Sequence, residues 1–191
     1  MMPENEPRPK LSAVLQGAWD ALAAGAEQGR HPFHTPALAS AGEAGPAVRT
    51  VVLRQADEEQ RWLVCHTDLR SPKVALFRDH PRAAWMFYDR EAKTQIRASG
   101  PVTLHHGDEV AKARWEASRE QSRRCYHAAL GPGAPLDSGG PRDDLAEGFG
   151  QFVVLRCRVE VMDWLYLRAQ GHWRARFEWV ENRWQGQWIA P

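Results

Sequence analysis

Several features that define common protein classes are missing from this chain of 191 residues. No apolar run approaches the roughly 18 residues that a membrane span requires, so no membrane partner is expected. The formal net charge of +1 gives no electrostatic case for nucleic acid, so no nucleic-acid partner is expected either. The acidic and polar residues 1–6 do not have the pattern of a signal peptide.

Cysteines and familiar site motifs are also scarce. Cys65, Cys125 and Cys157 are widely spaced and form no Cys-x-x-Cys unit, which predicts a reduced, cytoplasmic protein. There is no Gly-x-Gly-x-x-Gly, Gly-Lys-Ser/Thr, Gly-x-Ser-x-Gly or His-Glu-x-x-His sequence. His31 and His34 have no third ligand at a familiar spacing, so no metal site is expected. A nucleotide, if bound, would therefore lie against a sheet and not in a Rossmann turn.

The apolar pattern that is present predicts three helices and about seven or eight antiparallel strands. The helices run from Lys10 to about Gln28, from Pro72 to Asp79, and from about Asp108 to Arg124. The longest strand pattern covers residues 151–163, where apolar and charged residues alternate. Because successive strands are joined by short links, a mainly β barrel of the α+β class is favoured over a parallel α/β sheet.

The C-terminal half carries two further signals. Five of the nine tryptophans follow residue 160, so this end must be buried in a core, an interface or an aromatic ligand site. Residues 131–148 form a Gly- and Pro-rich loop, and a loop of this length in a compact domain is either functional or mobile. The sequence does not show which role this loop has.

The stretch from Arg49 to Arg54 predicts a strand between two guanidinium groups, which grip phosphate through paired N–H donors. About 16 Å of strand separates the two arginines, too far for one phosphate but suitable for a long ligand. On a regular strand, the side chains at positions 49 and 54 face opposite sides. Contact of both with one ligand therefore requires a bulge, a twist or a strand end between them. A buried strand capped by two solvated arginines is the alternative.

A second anion site is predicted at Ser71-Pro72-Lys73. Ser71 suits an N-cap and Pro72 the first helical position, which places the positive end of a helix beside Lys73. An ordinary capped helix with a surface lysine has the same pattern. Farther along, Gln95 can donate and accept toward a heterocycle edge, although a polar residue on the wet face of a strand is the alternative.

Taken in order, these motifs resemble the pyridoxamine 5'-phosphate oxidase family. The resemblance is carried by Arg49–Arg54, His66-Thr67, Ser71–Lys73, Thr94–Gly100, Asp163–Phe177, Trp184 and Ala190-Pro191. It covers about residues 31–191 and implies a split β-barrel homodimer that binds FMN at the subunit interface. An N-terminal arm and helix over residues 1–30 would precede this barrel domain, as in the uncharacterised FMN-binding branch of the family.

The resemblance also implies a set of FMN contacts. These are Arg49, Thr50, Val51, Val52, Leu53, Arg54, His66, Thr67, Ser71, Pro72, Lys73, Gln95, Trp164 and Arg176. Within this set, Arg49 and Lys73 would hold the phosphate, and Gln95 would meet the polar edge of the isoalloxazine or ribityl group. Trp164 and Arg176 would come from the second subunit.

The substrate side departs from the family's true oxidases. Those enzymes grip the substrate phosphate with a Tyr, an Arg and a Ser on a helix, and only Tyr126 corresponds in the region of residues 125–131. The family's Arg-x-His motif appears here with His172 in place of the arginine, and the lysine of its first motif is Arg54. Arg54, Tyr126 and His172 are therefore candidates for the substrate side, and no firm catalytic residue is identified.

Two functions follow from this pattern. The first is an FMN-dependent oxidase or reductase that acts on a small molecule other than pyridoxamine phosphate. The second is a non-catalytic flavin or tetrapyrrole binding or sensing protein, which the missing phosphate grip favours. Neither the substrate nor the electron donor and acceptor can be identified from the sequence.

Overall fold

The computed structural model describes residues 7–43, 45–135 and 148–191. Its helices are α1 (Leu11–Glu27), α2 (Pro72–Asp79), α3 (Glu109–Ala117) and α4 (Glu120–Arg123). Its strands are β1 (Ala37–Ser40), β2 (Ala47–Thr50), β3 (Gln55–Asp57), β4 (Trp62–Asp68), β5 (Arg82–Asp89), β6 (Thr94–His105), β7 (Phe152–Arg158), β8 (Val161–Tyr166), β9 (Trp173–Val180) and β10 (Arg183–Ile189). Every strand pair is antiparallel, which confirms the predicted α+β class.

Strand β6 joins two parts of the sheet. The larger part has the order β10-β9-β8-β6-β5-β1-β2, and the smaller part contains β3, β4 and β7. The first half of β6 pairs with β8 and its second half pairs with β7. The strands do not close into a ring among the described residues, because residues 51–54 between β2 and β3 are not in a strand.

That gap corrects the strand predicted from Arg49 to Arg54. Val51 and Leu53 donate backbone hydrogen bonds to the carbonyls of residues 36 and 34, at 3.0 and 2.9 Å. The Arg54 N–H instead donates to the Val64 carbonyl of β4 at 2.8 Å. The segment therefore crosses from one part of the sheet to the other and cannot keep a single ladder. Because the strand ends at this crossing, Arg49 and Arg54 are no longer required to face opposite sides of one regular strand.

Two other predicted elements are each divided in the structure. The helix predicted to reach Arg124 breaks at Ser118, which is extended and whose hydroxyl donates to the Arg114 carbonyl at 2.7 Å. The long strand over residues 151–163 breaks at Val159 and Glu160, whose N–H groups donate to the carbonyls of residues 61 and 99. The strand break depends on partners in other strands, so local periodicity could not show it.

One main apolar core lies between α1 and the sheet. The predicted stripe on α1 is confirmed, since Val14, Ala18, Trp19 and Leu22 are buried there. A smaller second cluster lies between α3 and the other side of β4 and β7, formed by Val64, Ala111, Tyr126, Phe152 and Val154. Strand β4 therefore faces apolar residues on both sides, which explains its nearly continuous burial.

The C-terminal hairpin forms where the sequence predicts it. Glu181 and Asn182 join β9 to β10 with φ angles of 51° and 59°, as a tight hairpin turn requires. Residues 136–147 of the long predicted loop lie outside the described residues. None of the helices in the described ranges combines the length and hydrophobicity needed to cross a bilayer.

Candidate functional site

Lys73 lies in the first turn of α2, where the predicted Ser-Pro-Lys motif starts the helix. Its ammonium group donates to the Thr67 hydroxyl at 2.8 Å and to the Ser71 hydroxyl at 2.6 Å. Ser71 occupies the N-cap position, but its hydroxyl makes no side-chain cap and meets Lys73 instead. The first turn of α2 therefore leaves backbone N–H groups and a cation at one end of the helix.

Arg49 extends from β2 toward the neighbouring strand β1. Its guanidinium donates to the Ser40 hydroxyl at 2.9 Å and to the Leu38 carbonyl at 3.2 Å. Both acceptors are neutral and fix the side chain without cancelling its charge. A guanidinium has five donors, so this placement leaves N–H groups for a further anion.

Arg49 and Lys73 are partly buried cations without an acidic partner. Neither forms a salt bridge with a carboxylate in the described ranges of the chain. Burial lowers the pKa of Arg49, and burial together with the charge of Arg49 lowers the pKa of Lys73 against weaker opposing effects of Cys65 and Asp68. A phosphate dianion would neutralise both groups, so these residues fit the phosphate end of FMN.

The thiol of Cys65 on β4 is fully buried. The charges of Lys73, Arg54 and Arg49 each act on the pKa of this thiol, more weakly than its burial does. Burial nevertheless raises the pKa of Cys65 to about 12, so the thiol stays protonated and cannot serve as the counter-ion. No described carboxylate pairs with Arg49 or Lys73, so an added anion would complete this group of charges.

A polar cavity of about 390 Å³ lies beside Arg54. Its side chains include three arginines and two serines, namely Arg54, Arg114, Arg119, Ser118 and Ser122. Glu27 is the one carboxylate among its described lining residues. The cavity therefore carries a positive charge and suits a small anion.

His66 is a neutral wall of the same cavity. Burial, followed by the charges of Arg54 and Arg114, lowers the pKa of His66 to about 3. Its ring packs edge-on against Phe152 with the centroids 4.8 Å apart. His66 therefore adds no charge at neutral pH, and the three arginines outnumber the carboxylate of Glu27.

Comparison with known proteins identifies the family. Residues 16–106 match the model of the pyridoxamine 5'-phosphate oxidase FMN-binding domain. A pyridoxine/pyridoxamine 5'-phosphate oxidase of Deinococcus deserti is 26% identical over 176 residues, which are 85% of this chain and 81% of the relative. Residues 16–106 belong to the pyridoxamine 5'-phosphate oxidase FMN-binding family. This family is one of FMN-binding proteins related to oxidoreductases, and FMN is its cofactor.

Other similar proteins agree with the pyridoxamine 5'-phosphate oxidase fold. An oxidase of the same name from Burkholderia ambifaria is 35% identical over 106 residues, 55% of this chain and 48% of the relative. A pyridoxamine 5'-phosphate oxidase-related, FMN-binding protein of Nostoc punctiforme has a TM-score of 0.74 at 24% identity, with 97% and 99% of the chains covered. PhzG of Burkholderia lata, in complex with tetrahydrophenazine-1-carboxylic acid, has a TM-score of 0.73 at 23% identity, with 100% and 98% covered.

The structure separates the three candidates for the substrate side. Arg54 lines the polar cavity, whereas Tyr126 packs in the second core cluster with its ring centroid 5.1 Å from that of Phe152. His172 is exposed before β9, and its Nδ1 accepts the Arg168 backbone N–H at 3.1 Å. These three side chains do not line a common cavity within one chain of this pyridoxamine 5'-phosphate oxidase relative.

Strand register also separates residues for which the family resemblance implied a common flavin. Asp163 of β8 lies opposite Arg97 of β6 and Arg176 of β9, so these side chains share one sheet face. Gln95 follows Arg97 by two residues and lies on that same face. Trp164 is next to Asp163 in sequence, so it points to the opposite face and packs against the main core.

Arg114 and Arg119 are site residues that the sequence did not reveal. They belong to the segment where the predicted helix breaks, and Arg114 also contacts the Gln55 side chain. In the sequence, the apolar residues of this helix are few (Val110, Ala113 and Ala117), which leaves room for a polar face. Without knowledge of the break at Ser118, that polar face could not be directed at a particular cavity.

Proposed function

We propose that the protein is an FMN-dependent oxidoreductase that holds the flavin phosphate between Arg49 and Lys73. The observation that supports this most strongly is the pair of partly buried cations, fixed by neutral hydroxyls and without a described acidic partner. FMN supplies the redox chemistry when it is bound. The chain binds and orients it through Arg49, Lys73, Thr67 and Ser71.

The substrate in this proposal is a small anion in the polar cavity beside Arg54. Arg114 and Arg119 approach from α3 and α4 and supply the cations that the sequence lacked at residues 125–131. The expectation that pyridoxamine phosphate is a poor substrate rested on that missing grip. Poor oxidation of pyridoxamine phosphate stays a prediction, but the missing grip no longer supports it. Steady-state oxidation of pyridoxamine phosphate and pyridoxamine by the FMN-loaded protein would test it.

The active form in this proposal is a homodimer. Val48, Met86 and Tyr88 lie on the outward face of the sheet and are 67%, 41% and 45% exposed, which is unusual for large apolar side chains. Gln95 and Arg176 share that face, so a second copy would meet them together. Light scattering of the FMN-bound protein should give twice the chain mass of 21.6 kDa. A single-chain mass with FMN still bound would contradict this proposal.

Anaerobic reduction tests the oxidoreductase proposal as a whole. The FMN-loaded protein should lose its visible flavin absorbance at about 450 nm with a reduced nicotinamide, and it should regain that absorbance in air. A protein that binds FMN but is neither reduced nor reoxidised at a useful rate would be the non-catalytic flavin binder. Absence of FMN binding would overturn both functions.

A further inference from the structure

We propose that Arg70 neutralises an acid beside the flavin phosphate site, so that Lys73 remains available for the phosphate. This inference rests on the proposed function, in which Arg49 and Lys73 hold that phosphate. The acid is Asp68, which ends β4 one residue after Thr67, and the Thr67 hydroxyl accepts a hydrogen bond from Lys73 at 2.8 Å. A free carboxylate at this position would repel a phosphate dianion and compete with it for Lys73.

The charge of Asp68 reaches Lys73, although the two side chains are not paired. The Asp68 side chain is only 6% exposed, so water and salt screen its charge poorly. Burial lowers the pKa of Lys73, and the charge of Asp68 is one of the weaker effects that oppose this shift. The described hydrogen bonds of the Lys73 ammonium go to Thr67 and Ser71, and Lys73 forms no salt bridge with a described carboxylate. Another partner therefore holds the Asp68 carboxylate.

That partner is Arg70, which binds both carboxylate oxygens of Asp68. Its Nε donates to Oδ1 at 3.0 Å and its Nη2 donates to Oδ2 at 2.7 Å, which makes a bidentate pair. The Arg70 backbone N–H also donates to Oδ1, at 2.8 Å. The charge of Asp68 is therefore balanced inside the turn that leads to Lys73.

Arg70 is fixed in this role and has no guanidinium nitrogen left over for the phosphate. Its remaining nitrogen, Nη1, donates to the carbonyls of Ala128 and Ala129 at 2.9 and 3.0 Å. Gly131 lies so close that an added Cβ would come within 2.6 Å of the Arg70 Cβ. Arg70 is thus bound to an acid and enclosed by the chain, whereas Arg49 contacts only neutral groups among the described residues.

The same contacts tie residues 128–131 to the turn before α2, and a purely structural tie is the alternative role for Arg70. The two roles predict opposite results for Asp68→Asn. If Arg70 neutralises Asp68, loss of the negative charge leaves Arg70 as an additional cation. FMN should then bind more tightly relative to riboflavin, which has the same ring system and no phosphate. If Arg70 is only a tie, its weaker bonds should reduce the affinity for both flavins equally.

Titration of the FMN-free, full-length protein with FMN and with riboflavin measures the preference for FMN as a ratio of dissociation constants. Arg70→Ala leaves Asp68 unpaired, so this preference should fall about tenfold. Asp68→Asn should raise it about fivefold. The double variant Asp68→Asn with Arg70→Ala should return it to within about twofold of the wild-type value. Since the double variant has no unpaired charge at this turn, it and Asp68→Asn keep the test valid if Arg70→Ala does not fold.

Glu181 and Arg183 provide a matched control pair with the same spacing of two residues. They lie at the β9–β10 turn, where both side chains are exposed and the N···O distance is 3.7 Å. Arg183→Ala and Glu181→Gln change the net charge of the chain by the same amounts as Arg70→Ala and Asp68→Asn. Both control variants should leave the preference for FMN unchanged.

The results separate failure of this inference from failure of the proposed function. A preference for FMN that is unchanged in Arg70→Ala and Asp68→Asn, or that falls in both, would overturn the neutralising role and leave the phosphate site in place. Equal changes in the control variants would also overturn that role. Equal affinities of the wild type for FMN and riboflavin would overturn the phosphate site itself, and this inference with it.

Discussion

Two clusters of basic side chains in this molecule are built in opposite ways. Arg97 and Arg174 both bind the buried carboxylate of Asp163, each with an N···O distance of 2.9 Å. Among the described residues, Arg49 and Lys73 are held by hydroxyl and carbonyl groups only. The first cluster has an acidic partner within the chain, whereas no described carboxylate contacts the second.

The pKa shifts reflect the same contrast. Burial alone would raise the pKa of Asp163, but the hydrogen bonds from Arg174 and Arg97 outweigh burial and hold it below its usual range. At Lys73 burial is the largest effect, and the pKa falls because no acid in contact opposes it. A basic cluster therefore indicates a ligand site only when its counter-charge is missing, and the number of arginines alone does not show this.

Removal of both uncompensated cations should have the largest effect. The double variant Arg49→Ala with Lys73→Ala loses two charge-assisted contacts, about 4 kcal/mol, so FMN should bind about a thousandfold more weakly. Flavin fluorescence titration measures this change. Arg78→Ala is the control, since it removes an exposed cation from the other end of α2 and should leave FMN affinity unchanged. An equal loss of FMN affinity in the double variant and in Arg78→Ala would contradict the contrast between the two clusters.

The cluster around Asp163 should matter for stability instead. Asp163→Asn leaves Arg97 and Arg174 without their counter-charge, and we expect a loss of about 2 kcal/mol in the free energy of unfolding. Urea denaturation of the FMN-free protein measures it. Glu178→Gln breaks the more exposed pair with Arg176 and should cost only about 0.5 kcal/mol. Similar losses in the two variants would show that Asp163 has no special role.

The acid dependence of stability gives a smaller effect that sharpens the comparison. The folded-state pKa of Asp163 is lowered, so its contribution is complete above the unfolded value of about 3.9 and is lost as pH falls through the folded value. The wild type should therefore lose more stability than Asp163→Asn as the pH falls below about 4. Lys73 changes stability in the same direction but in the alkaline range: its cost to folding begins to fall as pH rises through its lowered pKa and is gone above its unfolded pKa. Parallel acid profiles for the two proteins would contradict this account.

Local signals revealed one half of the candidate site and missed the other. Ser71, Pro72 and Lys73 are adjacent in sequence, so the helix start that carries the cation could be predicted from the chain alone. Arg114 and Arg119 could not be, because their direction depends on the break at Ser118. The break is marked by the bond from the Ser118 hydroxyl to the Arg114 carbonyl, which an apolar periodic pattern does not contain.

The pairing of distant strands also limited what could be predicted from the sequence. The apolar pattern gave the α+β class and the C-terminal hairpin, since both depend on neighbouring residues. The side of the sheet that Trp164 faces depends on its pairing with Ile96 and Ala175, which come from other strands. The crossing at Val51–Arg54 likewise depends on partners in β4 and in the loop before β1. Local patterns in a single sequence do not show which distant strands pair.

The most direct test compares FMN with riboflavin, which has the same ring system but no phosphate. If Arg49 and Lys73 hold the phosphate, wild-type protein should bind FMN about a thousandfold more tightly than riboflavin. In the double variant Arg49→Ala with Lys73→Ala, the two ligands should bind with similar affinity. Equal affinities for FMN and riboflavin in the wild type would contradict the central claim, because the two cations would then have no phosphate to neutralise.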